Sequence, residues 1–137
     1  MTISDADLIE RAADAASRSY SPYSRFRVGA AIVTDDGDII TGANIENAAF
    51  GASVCAETNA ITTAAASGVR RIDTVGVVCL DGDPCTPCGN CRQVMREFGV
   101  ARVVMRGRNG AIRTMTLDQL LPASFGPEAL EPEARET

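Results

Sequence analysis

The sequence predicts an α/β fold of three layers, α/β/α, around a mixed sheet of five strands. Three observations carry this. Short β-branched runs alternate with helical patterns along all 137 residues. One run, Thr74 to Leu80, is almost wholly apolar, as a central strand buried on both faces must be. The last two runs, Val100–Met105 and Ala111–Met115, are separated by five residues that include Asn109-Gly110. A parallel pair needs a crossover of about a dozen residues or more, so these two strands form an antiparallel hairpin.

The elements follow in order. Ser4 is placed to cap a first helix with Leu8, Ile9, Ala12, Ala13 and Ala16 on one face, stopped by Ser21-Pro22-Tyr23-Ser24. Val28–Val33 and Ile39–Ala43 read as strands paired through the turn Asp35-Asp36-Gly37-Asp38. A loop from Asn44 to Val54 leads into a small-residue helix from about Cys55 to Ser67, ended by Gly68. After the central strand, Asp81–Pro87 is a loop of turn formers, and Cys88–Phe98 a second buried helix ended by Gly99. Leu117–Leu121 closes the pattern with one helical turn. Without repeats or a linker, residues 1–137 read as a single domain, with 127–137 a charged, proline-containing and loosely held tail.

Composition removes whole classes of chemistry. There is no histidine and no lysine, so all 13 basic residues are arginines. Nucleophiles activated by histidine cannot be built, nor can Ser-Lys pairs, Schiff bases or the phosphate-loop lysine. The net charge of −5, with no basic run longer than Arg70-Arg71, argues against nucleic acid and for a small neutral substrate. The N-terminus lacks the basic start and apolar run of a signal peptide, and no stretch reaches membrane-spanning length. The expected address is the cytoplasm, with no membrane partner. There Cys55, Cys79, Cys85, Cys88 and Cys91 are expected to stay reduced, as ligands, nucleophiles or core residues rather than disulfide partners.

What remains is thiolate and carboxylate chemistry. Cys88-Gly89-Asn90-Cys91 follows Pro87 at a predicted helix start, where i and i+3 share a face and the helix N-terminus favours thiolate. Cys55-Ala56-Glu57 opens the other buried helix with one more sulfur and a nearby carboxylate. Three thiolates, Cys55, Cys88 and Cys91, leave one position of a tetrahedral zinc open, which marks a catalytic site. Water bound there has its pKa lowered to about 7. Glu57 is then the proton shuttle. Cys-Ala-Glu followed by Pro-Cys-x-x-Cys is the layout of zinc-dependent nucleobase deaminases. Cys79, mid-strand between Val78 and Leu80, reads as a core residue. Were Cys85 a fourth ligand the site would be closed and structural, but Pro84 and Pro87 are expected to hold it away in extended backbone.

On these residues the sequence resembles the small homotetrameric cytidine deaminases, from Tyr20 to about Leu130. Ser21-Pro22-Tyr23-Ser24-Arg25-Phe26-Arg27-Val28-Gly29-Ala30-Ala31 and Thr41-Gly42-Ala43-Asn44-Ile45-Glu46-Asn47-Ala48-Ala49-Phe50-Gly51 are similar to that family's early blocks. Cys91 to Phe98 and Leu120 to Pro127 are similar to its later ones. The resemblance implies a cytidine-deaminase-like fold, one zinc ion per chain, and hydrolysis of cytidine and deoxycytidine to uridine and deoxyuridine with release of ammonia. It implies that Asn44 and Glu46 hold the ribose hydroxyls and that Phe26 lies near the base. It also implies that Phe125 reaches a neighbouring subunit's site in a homotetramer. The backbone around Ala56 and Pro87 is expected to frame the base edge. An antiparallel final hairpin is similar to deaminases of free nucleosides, whereas the tRNA adenosine editors resemble a parallel version.

One departure stands out. Relatives commonly carry arginine directly after the catalytic glutamate, donating to the zinc thiolates; here that position is Thr58. Three thiolates on zinc leave a net −1 that something must offset, and the two helix N-termini and Arg92 are the candidates. Two other readings stay open. One is a deaminase of another cytosine-bearing compound such as blasticidin S, against which the loop Asn44-Ile45-Glu46-Asn47 argues. The other is a non-catalytic zinc or dithiol module, which a Cys88–Cys91 disulfide would support.

Overall fold

A computed structural model describes residues 2–130. Helix α1 (Asp5–Ala16) is followed by strands β1 (Val28–Thr34) and β2 (Ile39–Ala43), then α2 (Ala56–Ala66) and β3 (Ile72–Cys79). Helix α3 (Gly89–Glu97), strands β4 (Arg102–Arg106) and β5 (Ile112–Thr116), and the short α4 (Leu117–Leu120) complete the order. The five strands form one sheet in the order β2-β1-β3-β4-β5. β1 is antiparallel to both β2 and β3, β3 is parallel to β4 through the α3 crossover, and β4 and β5 form the expected antiparallel hairpin.

Side chains alternate across this sheet with the period of two that strands impose. On one face Ala31, Val33, Val78 and Val104 pack against Leu8, Ile9 and Ala12 of α1. On the other, Ile32, Val75, Val77 and Val103 pack against Ala60, Ile61 and Ala64 of α2 and Met95 of α3. The result is the three-layer sandwich. Ser4 caps α1, its side chain accepting from the Asp7 amide at 3.1 Å. Gly42 lets α2 lie close on β2: a Cβ there would fall 2.7 Å from the Ala60 nitrogen and 2.9 Å from the Ala56 oxygen.

The differences from the sequence reading are local. β3 starts at Ile72, because a register shift between Val33 and Thr34 brings Thr34 opposite Ile72. The loop after β2 is not featureless: Ile45 bridges both Tyr20 and Val54, and Phe50–Ala52 forms a 3-10 turn. Pro127–Leu130 forms another 3-10 turn, where Glu128 is ion-paired with Arg96. The rest of the expected tail, residues 131–137, lies outside the described residues. No described helix is long and apolar enough to cross a membrane.

Candidate metal and active site

Helices α2 and α3 begin at the same end of the sheet, and each is capped by a cysteine in extended backbone, Cys55 for α2 and Cys88 for α3. Neither sulfur is used in a cap hydrogen bond. Cys91 lies on the first turn of α3 and is fully buried. The three Sγ atoms all lie within 4.8 Å of one another, with Cys55 and Cys88 3.6 Å apart. Tetrahedral zinc with Zn–S bonds near 2.3 Å needs sulfurs about 3.8 Å apart, so the donor set fits that ion. Among the described residues no fourth cysteine, histidine or carboxylate joins the group.

Glu57 sits on the first turn of α2 and is 4% exposed. Burial raises its pKa, which a backbone hydrogen bond and the Cys91 thiol only partly oppose. The Cys91 thiol is itself held far above the usual thiol range, by its hydrogen bond with Cys55 first, then by burial and the Glu57 charge. A cation entering this site must therefore displace protons from sulfur.

A cavity of about 160 Å³ opens beside these groups, lined by Phe26, Asn44, Ala56 and Glu57 together with Cys55, Thr86 and Cys88. This is smaller than the usual pocket for a drug-sized ligand and suits a single small ring. Of the residues singled out in the sequence, Phe26, Asn44, Ala56 and Glu57 thus meet at one place. Glu46 instead lines a second hollow with Tyr23, Ser24, Phe50 and Ser53. Phe125 lines neither; it is 61% exposed and its carbonyl accepts from the Gln93 side chain at 2.8 Å.

Asn44 and Glu46 have clear partners within the chain. The Asn44 Oδ1 accepts from the Ser19 hydroxyl and from the Val28 amide at 3.0 Å, and its Nδ2 donates to the Phe26 carbonyl at 2.8 Å. The Glu46 carboxylate accepts from the amides of Tyr23 and Ser24 at 3.0 and 3.1 Å and from the Ser24 hydroxyl. These bonds, the Ser24 hydroxyl foremost, lower its pKa. Together they fix the segment that presents Phe26, including Arg25 in the left-handed region at φ 59°.

Two features had no signal in the sequence. The Asp81 carboxylate takes both the Nε and Nη2 of Arg27, at 3.0 and 2.8 Å, and the Arg27 amide at 2.8 Å. Gly82, next in the chain, lies against the Phe26 ring. The Arg27–Asp81 contacts join residues 54 positions apart, which no local pattern announces.

The cysteine expectation needs a correction. Cys79 is buried at the end of β3, as its apolar neighbours predict, but it is disulfide-bonded to Cys85. The loop from 80 to 84 doubles back, so the two Cα atoms lie 5.5 Å apart, within the span a disulfide bridges. Cys85 is accordingly no fourth metal ligand. Cys55, Cys88 and Cys91 are free, so the Cys88–Cys91 disulfide of a redox module is not formed. The guanidinium of Arg92, next to Cys91 in the chain, donates to the carbonyls of Pro87 and Leu120 at 2.8 and 2.6 Å.

Comparison with known proteins agrees with this geometry. The family model described as the cytidine and deoxycytidylate deaminase zinc-binding region matches residues 2–106. The chain belongs to that family. It is 44% identical over 123 residues to a cytidine deaminase of Halalkalibacterium halodurans, covering 88% of this chain and 93% of that one. It is 39% identical over 126 residues to a cytidine deaminase of Mycobacterium tuberculosis, covering 90% and 91%. Among solved structures, the cytidine deaminase of Burkholderia pseudomallei superposes with a TM-score of 0.85 at 42% identity, over 90% of this chain and all of that one.

Proposed function

We propose that this chain is a zinc-dependent hydrolase that converts cytidine and deoxycytidine to uridine and deoxyuridine, releasing ammonia, in pyrimidine salvage. The convergence of three free sulfurs beside a buried glutamate carries the proposal. Bound by Cys55, Cys88 and Cys91, zinc supplies the Lewis acidity that makes water a nucleophile at neutral pH.

The chain's own residues do the rest. Glu57 accepts a proton from the attacking water as its oxygen adds to C4 of the base. It passes that proton to N3, then takes the second proton from the new C4 hydroxyl and gives it to the exocyclic nitrogen, so that C4=O forms, the C4–N4 bond breaks and the amine leaves as ammonia. A raised pKa brings this carboxyl toward neutrality, where it gives and takes protons most effectively. Phe26 packs against the base, and the backbone of Ala56 and Pro87 frames its polar edge. Asn44 and Glu46 read the sugar hydroxyls, the first from the pocket wall and the second from the adjoining loop.

A homotetramer, with Phe125 of one subunit reaching the site of another, is part of the proposal. Exposed Phe125, and Phe50 in edge contact with Tyr23, support a covering second copy. A cytoplasmic address is part of the proposal because the metal site needs three reduced thiols; the Cys79–Cys85 bond is the observation that weighs against it. The test is the loss of absorbance as purified, zinc-loaded protein is mixed with cytidine. Turnover of cytidine supports the proposal, and turnover of blasticidin S alone overturns its substrate.

A further inference from the structure

Helix α2 carries three threonines whose hydroxyls do not behave alike. Those of Thr62 and Thr63 turn back onto their own helix, donating to the carbonyls of Thr58 and Asn59 at 2.7 Å each. This is the usual resting place of a helical threonine hydroxyl. The Thr58 hydroxyl instead lies 3.4 Å from the Cys91 sulfur on α3. Cys91 is the fully buried member of the sulfur group.

The surroundings of that sulfur make the contact consequential. Its other neighbours include the Cys55 and Cys88 thiols and Glu57. Once the cysteines lose their protons to bind a cation, all three sulfurs are acceptors, and an ionised Glu57 is another. Arg92, one residue along, spends its guanidinium on two carbonyls. A hydroxyl can still donate.

We propose that Thr58 is a positioning residue of the metal centre, its hydroxyl donating to the Cys91 thiolate and holding that sulfur's charge and direction toward Cys55 and Cys88. The proposal rests on reading the three sulfurs as the metal site. Outer hydrogen bonds to metal ligands are typically worth about 10–100-fold in affinity.

The experiment compares zinc affinity, by chelator competition, and the thiolate-to-metal absorption band of the cobalt derivative. It uses the parent protein, Thr58→Val, Thr58→Ala, Thr58→Ser and Cys91→Ser. Loss of the hydroxyl is expected to weaken zinc binding about tenfold or more. It should also move the cobalt band to lower energy, because the sulfur keeps more of its electron density. Both changes should appear in Thr58→Val and Thr58→Ala, and Thr58→Ser should restore both. The melting point of each metal-free variant separates a folding defect from a metal defect. Thr58→Val and Thr58→Ala with the parent's affinity and spectrum overturn the role of Thr58. A parent protein that binds no metal, or a Cys91→Ser variant with an unchanged spectrum, overturns the metal site itself.

Discussion

Gly82 lies against the ring of Phe26: a Cβ at position 82 would stand 2.6 Å from the ring's Cε1. The glycine therefore sets where the ring lies over the cavity. Gly82→Ala should displace the ring and raise KM for cytidine, by about tenfold if the ring contributes the ~1–3 kcal/mol typical of base stacking. Phe26→Ala should lose a similar amount. The double variant should lose little more than either alone, since both act on one contact. Steady-state kinetics on the three variants with unchanged zinc content checks this.

Glu57→Gln keeps the shape of a buried side chain and removes its capacity to carry a proton. The expected result is a fall in kcat of about 10²–10⁴-fold, the usual contribution of a positioned acid–base group. Zinc content and fold should be retained, as metal analysis and circular dichroism would report. A variant with near-parental kcat would move proton transfer to another group.

Acid stability should depend on the clamp between Arg27 and Asp81. Hydrogen bonds from Arg27 lower the Asp81 pKa from its ordinary 3.8 to about 2. A depressed carboxyl contributes stability in full above its unfolded value and loses it as pH falls through the folded value. The loss therefore falls between about pH 4 and about pH 2. Asp81→Asn should flatten that part of the denaturation midpoint against pH, and parallel curves would show that the clamp contributes nothing to it.

Thiol counting tests the cysteine assignment. After unfolding without reductant, alkylation should label three cysteines, Cys55, Cys88 and Cys91. With reductant all five should label. Five labels in both conditions would show Cys79 and Cys85 to be unpaired. The loop closed by their bond is short, so its removal should cost about 2 kcal/mol of stability.

Much of this site was legible in the sequence because its donors sit at fixed helical spacing. Cys88 and Cys91, three apart, must share a face of any helix, and Cys55 and Glu57 open the helix beside it. The hairpin of β4 and β5 followed from the shortness of its connection. What could not be read depends on how the chain returns. The Cys79–Cys85 pairing requires the path of residues 80–84, and Asp81 meets Arg27 only once β1 and β3 are aligned. Asn44 illustrates a subtler limit: its residue type suits a sugar-reading role, yet only the folded loop reveals that its side chain also holds Ser19, Phe26 and Val28 in place.

The central claim is that Cys55, Cys88 and Cys91 hold one metal ion with a position left for solvent. X-ray absorption at the zinc edge of the purified protein tests it most directly. The account predicts one zinc per chain with three sulfurs at about 2.3 Å and one oxygen or nitrogen neighbour. Four sulfurs around the metal, or zinc without sulfur neighbours, would contradict it.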